Sequence, residues 1–355
     1  MHSIPQFPAA DPKKKPTEAT GAAASAAGML KSRSRAARRC AAPRRAFVVI
    51  FFMPDSRPPL RAYLLAFTTI YLVWGSTYLA IRVSVESMPP FAMAALRFAI
   101  AGTVLMAFLK LRGAVWPKTH QWRDAFISGF FLLLGGNGLV SWAEQSVPSG
   151  ITALIIGSSP LFIVLADWAW PGGRRPGAVT LGAMLLGFAG VAWLAAPWQN
   201  ASPERLNPAG AAVILLSCVS WAIGSIFGRH ARNPAPPFVG AAAQMLAGSV
   251  WLALAAWAHG DIAAWHTDSI TTRSWLAFAY LVVAGCLAGY TAFVWLLKYT
   301  SPARTATYAY VNPVVAVFLG WLILNEPIST RILAASAVIL GAVVIITVQA
   351  QCEKT

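Results

Sequence analysis

Arg97 lies in an apolar run, seven residues past Pro90. That is about 10 Å along a helix rising about 1.5 Å per residue. A cation that deep in hydrocarbon is costly, so it points to function and to a partner. Glu144, near the end of the next apolar run, is the expected partner. Such a pair would hold a gate or answer a substrate's charge; a structural ion pair or a snorkelling arginine carries equal weight. A desolvated Glu144 would also suit proton exchange. Hydration at the interface is the plainer reading of that residue.

A second group is polar but uncharged. Trp74, Ser76, Thr77 and Tyr78 share one apolar run, Asn137 and Ser141 another, and Ser158 and Ser159 a third. Trp221, Ser225, Tyr290, Thr305, Tyr308 and Asn312 recur in later runs. A small-molecule pocket is mostly apolar with a few placed polar groups. Singly, each residue is more often helix–helix glue or an interface marker. As a convergent set they are expected to line a substrate pocket.

Pro160 and Pro313 each interrupt an apolar segment near its middle. A proline removes one N–H and obstructs the carbonyl four residues back, here Ile156 and Ala309. In hydrocarbon a freed carbonyl must be satisfied by hydroxyls, water or neighbouring helices. Both prolines are therefore expected to kink cavity-lining helices.

Other chemistry is poorly served. His2, His120, His230, His259 and His266 fall in tails, loops or span edges, and no H-E-x-x-H occurs, so neither metal nor acid–base catalysis has a site. No G-x-x-x-x-G-K-[ST] phosphate loop is present. Cys40, Cys218, Cys286 and Cys352 are too scattered for a disulfide framework or a zinc site. The expectation is a protein that is not an enzyme and needs no cofactor or metal.

The elements that must position these residues are membrane helices. The chain is 57% hydrophobic and 11% charged, which excludes an ordinary soluble domain. Ten apolar runs of spanning length cover about 62–82, 89–110, 124–145, 149–170, 177–196, 209–229, 238–258, 275–297, 303–324 and 331–350. The net charge of +16 would suggest nucleic acid, but its distribution argues for a bilayer instead. Twelve basic residues lie at or before Arg61, and most others fall in alternate loops. With both termini cytoplasmic, Arg82, Arg205, Arg273 and Arg331 alone face outward, as the positive-inside rule requires.

Residues 1–60 are a low-complexity basic tail, expected to be disordered and dispensable, with initiation at Met53 a candidate. Beyond it the sequence repeats. Thr152-Ala153, Ser159-Pro160 and Trp168 reappear 153 positions later as Thr305-Ala306, Asn312-Pro313 and Trp321. Trp74, Arg82 and Pro89-Pro90-Phe91 reappear after 147 as Trp221, Arg229 and Pro236-Pro237-Phe238. Leu134, Gly136 and Trp142 match Leu287, Gly289 and Trp295, whereas Arg97 is answered by Gln244 and Glu144 by Leu297. Five spans per repeat is an odd number, so the second copy enters from the opposite side, as in alternating-access transporters. The expected fold is an all-α integral membrane protein of ten transmembrane helices, built as two inverted five-helix repeats over 61–199 and 208–350. Gly182, Gly187, Gly190 and Gly341 are expected to pack spans 5 and 10 closely. Glu326 is expected to order the last turn with Arg331, and Asp167 to meet Arg174 or Arg175.

With these motifs in place the chain resembles the EamA-type branch of the drug/metabolite transporter superfamily over about 62–350. The resemblance rests on WGSTYLAIR at Trp74–Arg82, PPF…LRF…AG from Pro89 to Gly102, WAEQSVPSGITALIIGSSPLF from Trp142 to Phe162, and the stretch from Pro313 to Pro327. It implies ten helices in the bacterial inner membrane, cytoplasmic termini, a central pocket lined by helices 1, 3, 4, 6, 8 and 9, and export of small metabolites, amino acids or drugs. Lipid flippase, channel or non-transporting membrane scaffold is the alternative. The implied partners are a small-molecule substrate and the lipid bilayer, with no nucleic acid and a homodimer compatible.

Overall fold

The computed structural model describes residues 58–173, 175–195, 207–231, 235–300, 305 and 307–352; the basic tail and Arg174 lie outside them. Ten helices run through the described residues: α1 Leu60–Val85, α2 Pro90–Leu111, α3 Thr119–Ala143, α4 Ser149–Ala169, α5 Ala178–Ala195, α6 Pro208–Arg229, α7 Pro237–His259, α8 Thr272–Tyr299, α9 Tyr308–Leu324 and α10 Thr330–Cys352. Seven of these (α1–α4 and α6–α8) are long and apolar enough to cross a membrane. The apolar helical stretches of the other three are shorter: Ala178–Trp193, Val311–Leu324 and Thr330–Ile346.

Sequence explains several boundaries. Proline occupies the first helical position of α2, α6 and α7, where its missing N–H costs nothing and its fixed φ suits the helix. Gly260 ends α7 with φ of 87° and Asn325 ends α9 with φ of 53°, the left-handed stop that glycine and asparagine tolerate best.

The interiors of α3 and α8 carry π-helical segments at Phe130–Gly138 and Leu281–Tyr290, a feature that periodicity did not reveal. Each is glycine-bearing, and in α3 the Asn137 amide donates to the Leu132 carbonyl five residues back, at 3.3 Å. Wide turns of this kind concentrate at functional sites.

Packing is pairwise. α2 lies along α7, α5 along α10, α1 against α8 and α9, α6 against α3 and α4, and α4 against α9. Small residues permit a close crossing of α3 and α7. A Cβ at Gly129 would stand 2.8 Å from the Gly248 backbone nitrogen, and one at Gly248 would stand 2.5 Å from Leu133. Gly187 and Gly190 fill the expected role, against Ala342 and Ile339, but Gly182 and Gly341 meet nothing within 4 Å.

The prolines behave differently from one another. α4 breaks at Gly157-Ser158 ahead of Pro160, and the Ser159 hydroxyl donates to the freed Ile156 carbonyl at 2.6 Å. Pro313 sits inside an uninterrupted α9. The difference follows from the residues ahead of each proline: Gly157-Ser158 accommodates a turn, whereas the corresponding Tyr310-Val311 stays helical and Asn312 in its satisfied orientation donates to the Tyr308 and Tyr71 carbonyls. Both prolines are buried. Pro313 adjoins the break in α4, since a Cβ at Gly157 would lie 3.1 Å from Pro313 Cγ.

Gly129→Val drives a branched side chain into the α7 backbone, which cannot retreat as a side chain would. A loss of about 1–3 kcal/mol is expected, read as a lowered Tm of the detergent-purified chain; unchanged melting would remove the close crossing of α3 and α7.

Candidate functional site

Two cavities meet at the centre of the helices. The smaller, about 90 Å³, is lined by Trp74, Thr77, Tyr78, Arg97, Asn137, Ser159, Trp221, Tyr290 and Tyr308, with Phe98, Ser217, Cys218 and Cys286 among others. The larger, about 790 Å³, runs toward the helix ends that carry Gln121, Asp124, Asp167, Arg175, Arg229 and Lys298, and takes in Ser225, Thr305 and Pro160. Trp221, Tyr290 and Tyr308 belong to both linings and form the partition.

That partition is aromatic. Trp74 and Trp221 meet edge to face with ring centroids 5.9 Å apart, and Trp74 meets Tyr308 the same way at 5.2 Å. Edge-to-face contact sets the positive rim of one ring against the negative face of the other. Each tryptophan also occupies space left by a glycine of a π-helical segment. A Cβ at Gly136 would stand 2.9 Å from the Trp221 ring, and one at Gly289 would stand 2.6 Å from Trp74 Nε1. Trp221 and Gly289 are the residues that the 147- and 153-residue offsets assign to Trp74 and Gly136.

Four of the expected pocket residues line neither cavity. Ser76 is bonded to Leu72, Val73 and the Tyr280 hydroxyl, and Ser141 donates to the Asn137 carbonyl. Ser158 donates to Ile155, and Asn312 faces Tyr308 and Tyr71. For the three serines the reason is common: a hydroxyl in a helix readily bonds its own backbone three or four residues back. The sequence reading missed Cys218, Cys286, Phe98 and Phe293. Cys286 lies four residues before Tyr290, on the same helical face, which is the signal that would have found it.

The expected ion pairs rearrange. Arg97 is 2% exposed and donates from Nη2 to Asn137 Oδ1 at 3.2 Å; no ion pair joins it to Glu144 among the described residues. Glu144 is fully buried, lines neither cavity, and both carboxylate oxygens lack a hydrogen-bond partner. Its backbone carbonyl accepts from Arg82 Nη1. Asp167 pairs with Arg229 rather than Arg175, because α6 packs directly on α4. Arg331 donates to the Trp193 carbonyl at 2.8 Å and leaves Glu326 to α4.

The EamA-like transporter family model matches the chain twice, over residues 60–196 and 208–348. The chain belongs to the EamA-like transporter family. A relative in Escherichia coli, named "uncharacterized inner membrane transporter YedA", is 38% identical over 79% of this chain and 89% of its own length. The "uncharacterized transporter YvbV" of Bacillus subtilis is 24% identical, covering 85% of this chain and 95% of its own. A solved crystal structure aligns over 83% of this chain and 100% of its own, with 26% identity and a TM-score of 0.58.

In this EamA chain the helix ends opposite the large cavity are tied together by two carboxylates. α2 and α4 begin after Pro89 and Pro148, which have no side chain able to cap them. Asp261 Oδ2 instead accepts from the Phe91 and Ala92 amides at 2.7 and 3.1 Å. Glu326 accepts from the Ser149 amide and hydroxyl and from the Gly150 amide at 2.8–3.0 Å. A carboxylate on a helix N-terminus gains from both the free N–H groups and the dipole. Ser87 adds a hydroxyl contact to Ser274 at 2.8 Å. Removing either carboxylate, Asp261→Ala or Glu326→Ala, is expected to cost about 1–2 kcal/mol. Hydrogen exchange should rise at Phe91–Ala92 in the first variant and Ser149–Gly150 in the second; unchanged protection there would remove the capping role.

Proposed function

We propose that the chain is a secondary-active transporter that moves small organic solutes, in the export direction, by alternating access through the two central cavities. In this reading the ten helices are two inverted five-helix repeats, 61–199 and 208–350, set in a cell inner membrane with both termini cytoplasmic. The large cavity then opens to the cytoplasm and the carboxylate-capped end is the closed outer gate. The partners are a small-molecule substrate and the surrounding lipid. The protein performs no covalent chemistry on what it carries.

The carrying observation is the pair of reciprocal contacts at the partition. Trp74 of the first repeat packs on Gly289 of the second, and Trp221 of the second packs on Gly136 of the first. Exchanging α1–α5 with α6–α10 also maps the helix pairings onto themselves: α1 with α9 becomes α6 with α4, and α3 with α6 becomes α8 with α1. A molecule with such exchangeable halves has a second arrangement of similar energy, open at the other end, and inverted repeats use that second arrangement to carry substrate. What holds this one in place is not symmetric, since Asp261 and Glu326 cap first-repeat helices from second-repeat loops.

Native thiols provide the test. With Cys40→Ser and Cys352→Ser, Cys218 and Cys286 at the small pocket remain as reporters. A membrane-impermeant thiol reagent should reach them from each side of oriented vesicles, and Glu326→Gln should raise the rate from the outer side severalfold. Purified chain in liposomes should also move a solute saturably and return it chemically unchanged. Thiols sealed from both sides, together with no solute movement, would leave a scaffold; consumption of the solute would leave an enzyme.

A further inference from the structure

Arg97 is the one charged side chain among the described residues lining the small pocket. It is buried, and its Nε has no hydrogen-bond partner. A guanidinium in an apolar surround normally has its N–H groups satisfied, because leaving one bare forfeits a charge-assisted bond. Here Nη2 is held by Asn137 and the guanidinium lies over the Phe98 ring, while Nε has no hydrogen-bond partner.

A structural explanation for the charge is countered by the other half of the molecule. The positions corresponding to Arg97 and Asn137, 147 and 153 residues later, are Gln244 and Tyr290. These two also touch, with the Tyr290 hydroxyl donating to Gln244 Oε1 at 2.7 Å. The same helix-to-π-segment bond is thus built once with a neutral amide and once with a cation. Packing needs the bond, and the neutral version supplies it. The cation at 97 is additional.

We propose that Arg97 and Asn137 bind the carboxylate of an organic acid whose apolar body lies among Trp74, Trp221 and Tyr308. This assignment rests on the transporter reading and gives its substrate a chemical class. The guanidinium offers the planar donor set that a carboxylate matches, and the rings take the apolar remainder. About 90 Å³ holds the carboxylate and a short stem, and a longer body passes the partition into the larger cavity. The approach favours anions too. Asp167 is paired with Arg229 and Asp124 with Arg123, while Arg175 and Lys298 face the larger cavity without a carboxylate partner among the described residues.

Acetate, butyrate and 3-phenylpropanoate, each beside its primary amide, titrated calorimetrically into the detergent-purified full chain, test this directly. At least one acid should bind about tenfold or more tighter than its amide, the scale expected of a charge-assisted bond. Arg97→Gln should abolish that preference by weakening acid binding far more than amide binding, and it should fold, since glutamine already stands at 244. Arg97→Lys should keep part of the preference. Acid and amide binding alike, no acid in the series binding, or a preference that survives Arg97→Gln would each overturn the assignment. The comparison does not depend on transport: a chain that moves no solute in liposomes would remove the transporter reading, whereas equal binding of acid and amide would remove only the carboxylate class.

Discussion

A tryptophan ring can sit at the centre of a helix bundle only where another helix gives up a side chain. Trp74 and Trp221 both do so, on Gly289 and Gly136, and they meet each other edge to face. This mutual fit fixes where α1, α3, α6 and α8 cross, and therefore where the two cavities begin. The π-helical segments belong to the same constraint. They turn the glycines toward the rings and place Asn137 and Tyr290 beside them. In water a loosened helix interior would be repaired by solvent; in hydrocarbon it persists only against protein or a cavity.

Around this fit the two halves of the EamA chain are alike in packing and unlike in charge. α2 against α7 and α5 against α10 pair like with like. The polar contacts do not follow suit. Arg97 holds Asn137 where Gln244 holds Tyr290, and a buried Glu144 stands where the second half has Leu297. Asp261 and Glu326 fasten one end to helices whose proline starts supply no cap of their own. The packing of the two halves is exchangeable, and the buried charges are what tell them apart.

Much of the fold was legible because bilayer physics writes itself into composition and order. Long apolar runs, alternating basic loops, proline starts and the 147- and 153-residue offsets are all local or additive signals. The pocket was partly legible, through Trp74, Thr77, Tyr78, Asn137, Ser159 and their later counterparts. Ser76, Ser141 and Ser158 misled because a serine read from sequence does not say whether its hydroxyl is already bonded to its own helix. The charged residues were least legible. Glu326 and Arg331 are sequence neighbours that found distant partners, and Asp167 reached across to Arg229 instead of the nearer Arg175.

The sequence by itself determined that the chain is helical, apolar enough for a membrane, internally repeated and a member of its family, since each property rests on residue type, spacing or order. Only the tertiary structure decided which polar groups face the cavities, that α3 and α8 widen into π-helix, that α4 breaks while α9 does not, and which helix ends the two carboxylates cap. These depend on what each helix meets on its neighbours. A hydroxyl, a guanidinium or a carboxylate takes the partner that packing brings within about 3 Å, and sequence separation sets no limit on that.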